Sequence, residues 1–210
     1  MKLKYSIVIV FSLIFTTQGI AQDDTTNDFN RFDLTLVTGI GYGKVENDNE
    51  PNYDLNANVG EAHITYNFSE AFGLSTGLGF LQLSGNGFNS NGNFYHERDL
   101  LKIPLMIRSN KTIGDKFNLT ISAGFYGQTI INDEYRYLLT TEEDVFGGWT
   151  FGFQGYFGFG YEVSDNWTVG LNVSTQSDFN KFETENNVSL NDEQRITTLN
   201  TIGLMFGLRF

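Results

Sequence analysis

Eight stretches of the chain alternate between apolar and polar residues with a period of two, which is typical of β-strands with two different faces. In the clearest stretch, every second residue from Trp149 to Phe153 and from Phe157 to Tyr161 is aromatic, and most of the residues between them are Gly, Thr or Gln. The alternating stretches lie within residues 32–43, 61–68, 72–80, 101–108, 117–125, 149–162, 167–174 and 201–210. The pattern therefore predicts eight amphipathic strands.

Short and long connections take turns between these strands. The short ones lie around residues 69–70, 110–116 and 164–166, and the long polar ones around residues 45–54, 85–95, 132–147 and 179–194. In an up-and-down meander, this order places all long loops at one end and both termini at the other. We therefore predict an all-β fold, an eight-stranded antiparallel up-and-down transmembrane β-barrel with short periplasmic turns and longer external loops.

The sizes of the side chains predict which face of each strand meets lipid. One face carries the large apolar residues, and the other carries mostly Gly, Ser, Thr and Asn. An eight-stranded barrel has room inside for little more than its own side chains, so the small face should line the lumen. Gly127 and Gly155 are exceptions to this phase. Charges on the small face must pair or form hydrogen bonds in the lumen; they are Asp33, Glu61, Lys102, Arg108, Glu162 and Arg209.

Aromatic residues gather at the ends of the strands, as in the two aromatic girdles of outer-membrane barrels. We expect a periplasmic girdle of Phe32, Phe68, Phe72, Phe117, Tyr161, Trp167 and Phe210. We expect an outer girdle that includes Tyr42, Phe80 and Trp149. A soluble lipocalin-like carrier or a β-sandwich would instead turn the apolar face inward.

The first residues resemble a secretory signal peptide. Lys2 and Lys4 precede an apolar run over residues 5–15, and Gly19 and Ala21 are small residues at the −3 and −1 positions of a cleavage site. The run is too short for a membrane-spanning helix, which needs about 20 residues. We predict a signal peptide over residues 1–21, a short periplasmic segment over residues 22–30 and a barrel domain over residues 31–210.

Composition excludes several classes of protein. The chain has 25 acidic and 13 basic residues and a net charge of −12, which argues against a nucleic-acid partner. It has no cysteine, which excludes disulfides, thiolate metal sites, cysteine nucleophiles and lipid-anchored cysteines.

Two motifs carry a family resemblance. Phe210 ends a strand that alternates through Phe206 and Leu208, and such a terminal aromatic is similar to the insertion signal of outer-membrane barrels. Residues 100–106, LLKIPLM, resemble the Leu-x-Ile-Pro-Leu strand of the PorT-like outer-membrane β-barrel family. The resemblance implies an eight-stranded barrel in the outer membrane of a Gram-negative cell. It implies little about activity. The terminal aromatic predicts that the barrel-insertion machinery recognises Phe210.

The candidate chemistry is sparse. His63 lies on the lumen face beside Glu61, which favours a hydrogen-bonded pair over a catalytic base. His96 begins the sequence His-Glu-Arg-Asp at the outer rim, where we expect a solvated charge cluster. A lipid-modifying enzyme would combine His96 with Glu97 and either Ser84 or Ser90. We predict no catalytic, cofactor-binding or metal-binding residues.

The long loops are acidic but lack the spaced pattern of a calcium loop, so they are interpreted as a solvated surface. We therefore predict a small outer-membrane barrel with a filled lumen and no enzymatic activity. Its role would be structural or binding, with outer-membrane lipid around it and an unknown protein partner at the loops. A soluble extracytoplasmic lipocalin-like carrier and a rim-located lipid-modifying enzyme remain the alternatives.

Overall fold

A computed structural model describes residues 30–184 and 192–210 as an all-β protein. The predicted signal peptide and nearly all of the predicted periplasmic segment lie outside the described residues. No helix among the described residues is long and apolar enough to cross a membrane. The strands are β1 (Phe32–Asn47), β2 (Tyr53–Asn67), β3 (Phe72–Asn89), β4 (Gly92–Ile113), β5 (Phe117–Arg136), β6 (Thr141–Glu143), β7 (Phe146–Gly147), β8 (Trp149–Glu162), β9 (Trp167–Asp178), β10 (Phe182–Thr184) and β11 (Glu193–Arg209).

Eight long antiparallel strands close into a ring, which confirms the predicted barrel. Each pairs with the next in the order β1, β2, β3, β4, β5, β8, β9 and β11, and β11 pairs back onto β1. The last residue takes part in the closure, because Phe32 and Phe210 exchange backbone hydrogen bonds of 3.3 and 3.0 Å. The short strands β6, β7 and β10 extend the sheet at the loop end. The end that carries the termini and short turns is periplasmic in bacterial outer-membrane barrels.

A continuous apolar band surrounds the barrel. On β4 it contains Leu101, Ile103, Leu105 and Ile107, which alternate with inward-facing residues. On β1 it extends from Phe32 to Ile40, which for a strand tilted by about 40° is a height of roughly 20 Å. All aromatic residues predicted for the two girdles are exposed on the outside of the barrel. The large apolar side chains therefore face lipid, as predicted.

Above this band the polarity of both faces reverses. On β4, Glu97 and Asp99 now point outward, whereas Leu100 is buried inside the barrel. On β3, Leu81 and Leu83 are likewise buried inside. The strands thus continue beyond the membrane as a barrel that is surrounded by water.

The predicted loop at residues 85–95 is therefore wrong, since β3 and β4 continue through it and only residues 90–91 connect them. The predicted loop at 45–54 shrinks to residues 48–52 for the same reason. Polar outward side chains gave both segments the composition of loops, and residues 85–95 also contain the inward Gly85 and Gly87. The connections around 137–148 and after residue 178 remain long.

The charges in the lumen either pair or form hydrogen bonds, as predicted. Lys102 Nζ lies 2.5 Å from Glu61 Oε1, and His63 Nε2 lies 2.7 Å from Glu61 Oε2, so His63 and Glu61 form the expected pair. Nearer the periplasm, Arg209 Nη1 donates to Glu162 Oε1 at 2.7 Å. These contacts neutralise charges that would otherwise be costly to bury.

The remaining two lumen charges use neutral partners. Arg108 Nη1 donates to Thr35 Oγ1 at 2.6 Å, and Asn67 Nδ2 donates to Asp33 Oδ2 at 3.1 Å. Oδ1 of Asp33 is buried without a hydrogen-bond partner.

Inward glycines allow neighbouring strands and side chains to fill this narrow space. A Cβ atom at Gly77 would clash with the carbonyl oxygen of Ala62, and one at Gly203 would clash with that of Thr38. The predicted outward exceptions, Gly127 and Gly155, do face lipid. Gly60 is a further outward glycine that the sequence pattern did not reveal.

Pro104 interrupts the hydrogen bonding of β4 within the lipid band, because proline has no backbone N–H to donate. The ladder between β3 and β4 has no pairs between Thr76–Leu105 and Gly79–Lys102. The Thr76 hydroxyl donates to the carbonyl oxygen of Pro104 at 2.8 Å. The hydroxyl thus satisfies a backbone group that lipid could not.

We expect Thr76→Val to lower the free energy of unfolding by about 1 kcal/mol, because it removes this hydrogen bond. Thr76→Ser keeps the hydroxyl and should be close to the wild type. Equilibrium urea unfolding in lipid vesicles measures both. Equal stability of the two variants would show that the Thr76 hydroxyl does not support the Pro104 site.

Candidate functional site: the closed outer end of the barrel

An apolar core fills the barrel above the membrane band. Its buried residues come from β1 to β5, from the 137–148 connection, and from β10 and β11. They are Val45, Leu55, Ala57, Val59, Leu81, Leu83, Phe94, Leu100, Tyr135, Val145, Phe146, Phe182, Ile196 and Leu199. This core closes the outer end of the barrel.

Two β-bulges bring the right side chains into this core. In β5 the register shifts where Asp99 pairs with Asn132 and Leu100 with Ile130, so that Ile131 is the extra residue. Below the bulge even-numbered residues such as Gln128 face inward, and above it Asp133 and Tyr135 do. A second bulge in β11 lies at Thr197 and returns Ile196 to the interior. An inserted residue switches the face of every later residue in the strand.

A buried ion pair lies at the centre of the apolar core. Arg98 Nε donates to Asp133 Oδ1 at 2.8 Å and Arg98 Nη2 to Oδ2 at 3.2 Å, with both side chains excluded from solvent. Arg98 Nη2 also donates to Gln194 Oε1 on β11 at 2.9 Å. The guanidinium therefore joins β4, β5 and β11 across the barrel.

The same carboxylate fastens the long connection after β5. Asp133 Oδ2 accepts the backbone N–H of Phe146 at 3.1 Å, and its carbonyl oxygen accepts that of Asp144 at 2.8 Å. The rings of Phe146 and Phe182 lie 5.4 and 5.5 Å from the Arg98 guanidinium carbon, within cation–π range. Asp133 and Arg98 thus hold two loop segments as lids over the barrel.

His96 completes the network. Its Nε2 lies 2.7 Å from Asp133 Oδ1, and its Nδ1 lies 2.9 Å from the hydroxyl of Tyr53. Its ring stacks on Tyr135 with centroids 4.0 Å apart. Outward neighbours of His96 on β4 are polar, so this layer lies outside the lipid band.

Burial and the nearby Arg98 lower the pKa of His96 to about 4, so the imidazole is neutral at pH 7. Burial alone would raise the pKa of Asp133, but Arg98 holds it down at about 2. The pair is therefore charged, and the neutral imidazole donates to it through Nε2. The side chains of His96, Arg98 and Asp133 are all excluded from solvent, as in a structural network.

The expected solvated cluster at His96 is thus wrong, because alternation on β4 buries His96 and Arg98 and leaves only Glu97 and Asp99 outside. The residues considered for a lipid-modifying enzyme are not brought together either. Glu97 and Ser84 pair on the outer face, and Ser90 Oγ donates to Glu50 at 2.5 Å in the loops. The sequence pattern did not reveal the contacts that join Arg98 to Asp133 and Gln194. The alternation on β4 could have revealed that Arg98 faces inward, because it has the same phase as Lys102 and the opposite phase to Asp99.

Several acidic residues of the outer end have basic partners. Arg136 contacts Glu97 and Glu134 at 2.8 and 2.5 Å, and Lys181 contacts Asp48 at 2.5 Å. Asp192 instead accepts the backbone N–H groups of residues 48 and 49. Within the described ranges, no three His, Cys, Asp or Glu side chains are grouped to hold a metal ion.

Comparisons with known proteins agree with this architecture. Residues 7–210 match a family model described as outer membrane protein beta-barrel domain. Neisserial surface protein A is 9% identical with a TM-score of 0.54, over 85% of this chain and 97% of that one. A major outer membrane protein from Thermus thermophilus is 12% identical with a TM-score of 0.54, over 85% and 99%. At such identities the likeness concerns the fold alone. A comparison with curated proteins gave no match.

We expect Asp133→Asn to lower the free energy of unfolding by about 3 to 5 kcal/mol, because it leaves Arg98 buried without its counter-charge. The 137–148 connection should also become sensitive to protease in the folded barrel. Urea unfolding and limited proteolysis measure the two effects.

Glu97→Gln is the matched control. Glu97 is next to Arg98 on β4, but its carboxylate lies on the outer face of the barrel. The substitution should change neither measurement appreciably, because exposed ion pairs contribute little. Similar effects of the two substitutions would contradict the assignment of Asp133 as the residue that holds the lids.

Proposed function

The chain belongs to the outer membrane protein beta-barrel domain family, and from this premise we propose that it is a closed barrel that presents a rigid acidic outer end to a partner protein. The observation that carries the proposal is the reversal of polarity above the membrane. Strands that are surrounded by water and enclose an apolar core favour a folded outer end over a set of mobile loops. Such an end offers a fixed surface for recognition.

The filled interior supports a barrel that does not conduct. In the part of the chain described by the structure, the spaces beside Lys102 and beside Arg108 have volumes of only about 10 and 20 Å³. Each is about the space of one water molecule. Above them lies the apolar core, which an ion could cross only at a large cost in solvation.

The charge of the outer end favours a basic partner. Among the described residues of that end, acidic side chains outnumber basic ones. Carboxylates contact the basic side chains of Arg98, Arg136, Lys181 and Arg195. Two leucines project from this surface at the turn between β5 and β6, with Leu138 94% and Leu139 91% exposed. An apolar tip on an acidic surface suits a partner with a basic surface and an apolar depression.

Two finer points stay within this proposal. Membership of the PorT-like family stays a prediction that rests on the Leu-x-Ile-Pro-Leu motif of β4. The ring of Phe210 is exposed at the periplasmic edge and stacks on Phe32 at 6.3 Å, which supports its recognition by the barrel-insertion machinery.

We expect no ion channels when the purified barrel is inserted in planar bilayers, because neither the charged layer nor the apolar core leaves a water-filled path. A channel-forming porin inserted under the same conditions is the control. Steady openings of the wild-type barrel would contradict the closed lumen.

Photo-crosslinking in intact cells tests the binding role. A photoreactive residue in place of Leu138 should give a discrete adduct with a protein of basic surface, and high salt should reduce it. The same residue in place of Phe68, at the periplasmic end, is the control. Adducts from position 68 without any from position 138 would place the contacts at the wrong end for this proposal.

A further inference from the structure

A furrow crosses the lipid-facing wall of the barrel. It encloses about 620 Å³ and runs over β5, β8, β9, β11 and β1. Residues paired across these five strands form its upper edge: Ala123, Gly155, Thr175, Asn200 and Tyr42. Larger side chains such as Phe157 and Ile202 form the lower edge. Four spacings between neighbouring strands give the furrow a length of roughly 19 Å.

The barrel itself does not require a glycine at position 155 of this furrow. A Cβ atom at Gly155 would contact only Cγ2 of Thr175, at an ordinary distance of 3.7 Å. Gly127 differs, because the ring of Phe151 covers it at 3.2 Å. The missing side chain at Gly155 therefore shapes the outer surface of the wall and not its internal packing.

The furrow descends obliquely through the outer half of the membrane. Tyr42 lies ten residues along its strand from Phe32 at the periplasmic edge, whereas Ala123 lies only six from Phe117. With tilted strands, the Tyr42 end is roughly 10 Å nearer the cell exterior. Polarity follows the same direction, since Tyr42, Asn200 and Thr175 lie at the upper end and Gly155 and Ala123 at the deep end.

We propose that the furrow holds one acyl chain of lipid A from the outer leaflet. The deep end lies in the band that faces acyl chains, so the furrow is continuous with the lipid-facing surface. Asn200 and Tyr42 would donate hydrogen bonds to the ester or amide that links the chain to its head group. Lys44 lies two residues beyond Tyr42 on the same face, where a head-group phosphate would come.

The furrow is polar at its upper end and apolar at its deep end. It therefore matches an amphiphile whose polar group lies nearer the cell exterior than its acyl chain. The inference needs only the membrane-spanning barrel, so it stands or falls separately from the closed lumen and the partner protein.

Native mass spectrometry of the full barrel in mild detergent, titrated with purified lipid A, tests the proposal. We expect one lipid A to bind the wild type more tightly than any later one. Gly155→Leu should weaken this first binding about tenfold, since it takes the place of about two methylene groups of the chain. Asn200→Leu tests the polar end and should also weaken it.

Val169→Phe is the matched control, because it adds similar bulk to the lipid-facing face of β9 outside the furrow. The heat-dependent gel mobility of each variant shows that it is folded. Equal binding by wild type and both furrow variants would overturn the proposal. Tighter binding of phosphatidylethanolamine than of lipid A would overturn it too, as would a wild-type dimer that Gly155→Leu dissociates.

Discussion

The outer wall of this barrel passes from lipid into water partway along its strands, and the rest of the structure depends on that change. Within the membrane, side chains such as Ile103 must be apolar on the outside, which leaves small and polar residues for the lumen. Above it, residues such as Glu97 meet water, so the apolar side chains move inside. One continuous sheet therefore has its core outside at one level and inside at the next.

The two levels fill their interiors by different means. In the membrane, Glu61 with its partners Lys102 and His63 occupies a lumen too narrow for bulk water. At the outer end, Arg98 and Asp133 lie inside an apolar core, where two charges are tolerated only because they are paired and hydrogen-bonded. Together with the contacts of Arg98 to Gln194, Phe146 and Phe182, their pairing ties three strands and two loop segments into one folded unit.

The barrel, its strand number and its lipid face could be predicted from segments such as Leu101 to Arg108. Along such a segment one face meets only lipid and the other only the lumen, so the alternation is regular. The same reasoning failed at residues 85–95, since Gly85 and Gly87 inside and Asn86 outside leave little contrast between faces. Asp133 could not be assigned to the interior, because the bulge at Ile131 shifts the phase by one residue without a sequence signal. The contact between Arg98 and Gln194 depends on closure of the ring, which periodicity along one strand does not describe.

Cysteine scanning of β4 tests the reversal of polarity most directly, and the chain has no native cysteine to interfere. Single cysteines would replace residues from Asn93 to Ile107 and react with a water-soluble maleimide in the folded barrel in vesicles. Labelling is expected at the outward positions 95, 97 and 99, with none at the inward positions 94 and 100, which lie outside the Arg98–Asp133 network, or at the lipid-facing 103 and 105. Uniform labelling from 93 to 99 would mean a solvated loop and would contradict a barrel that continues beyond the membrane.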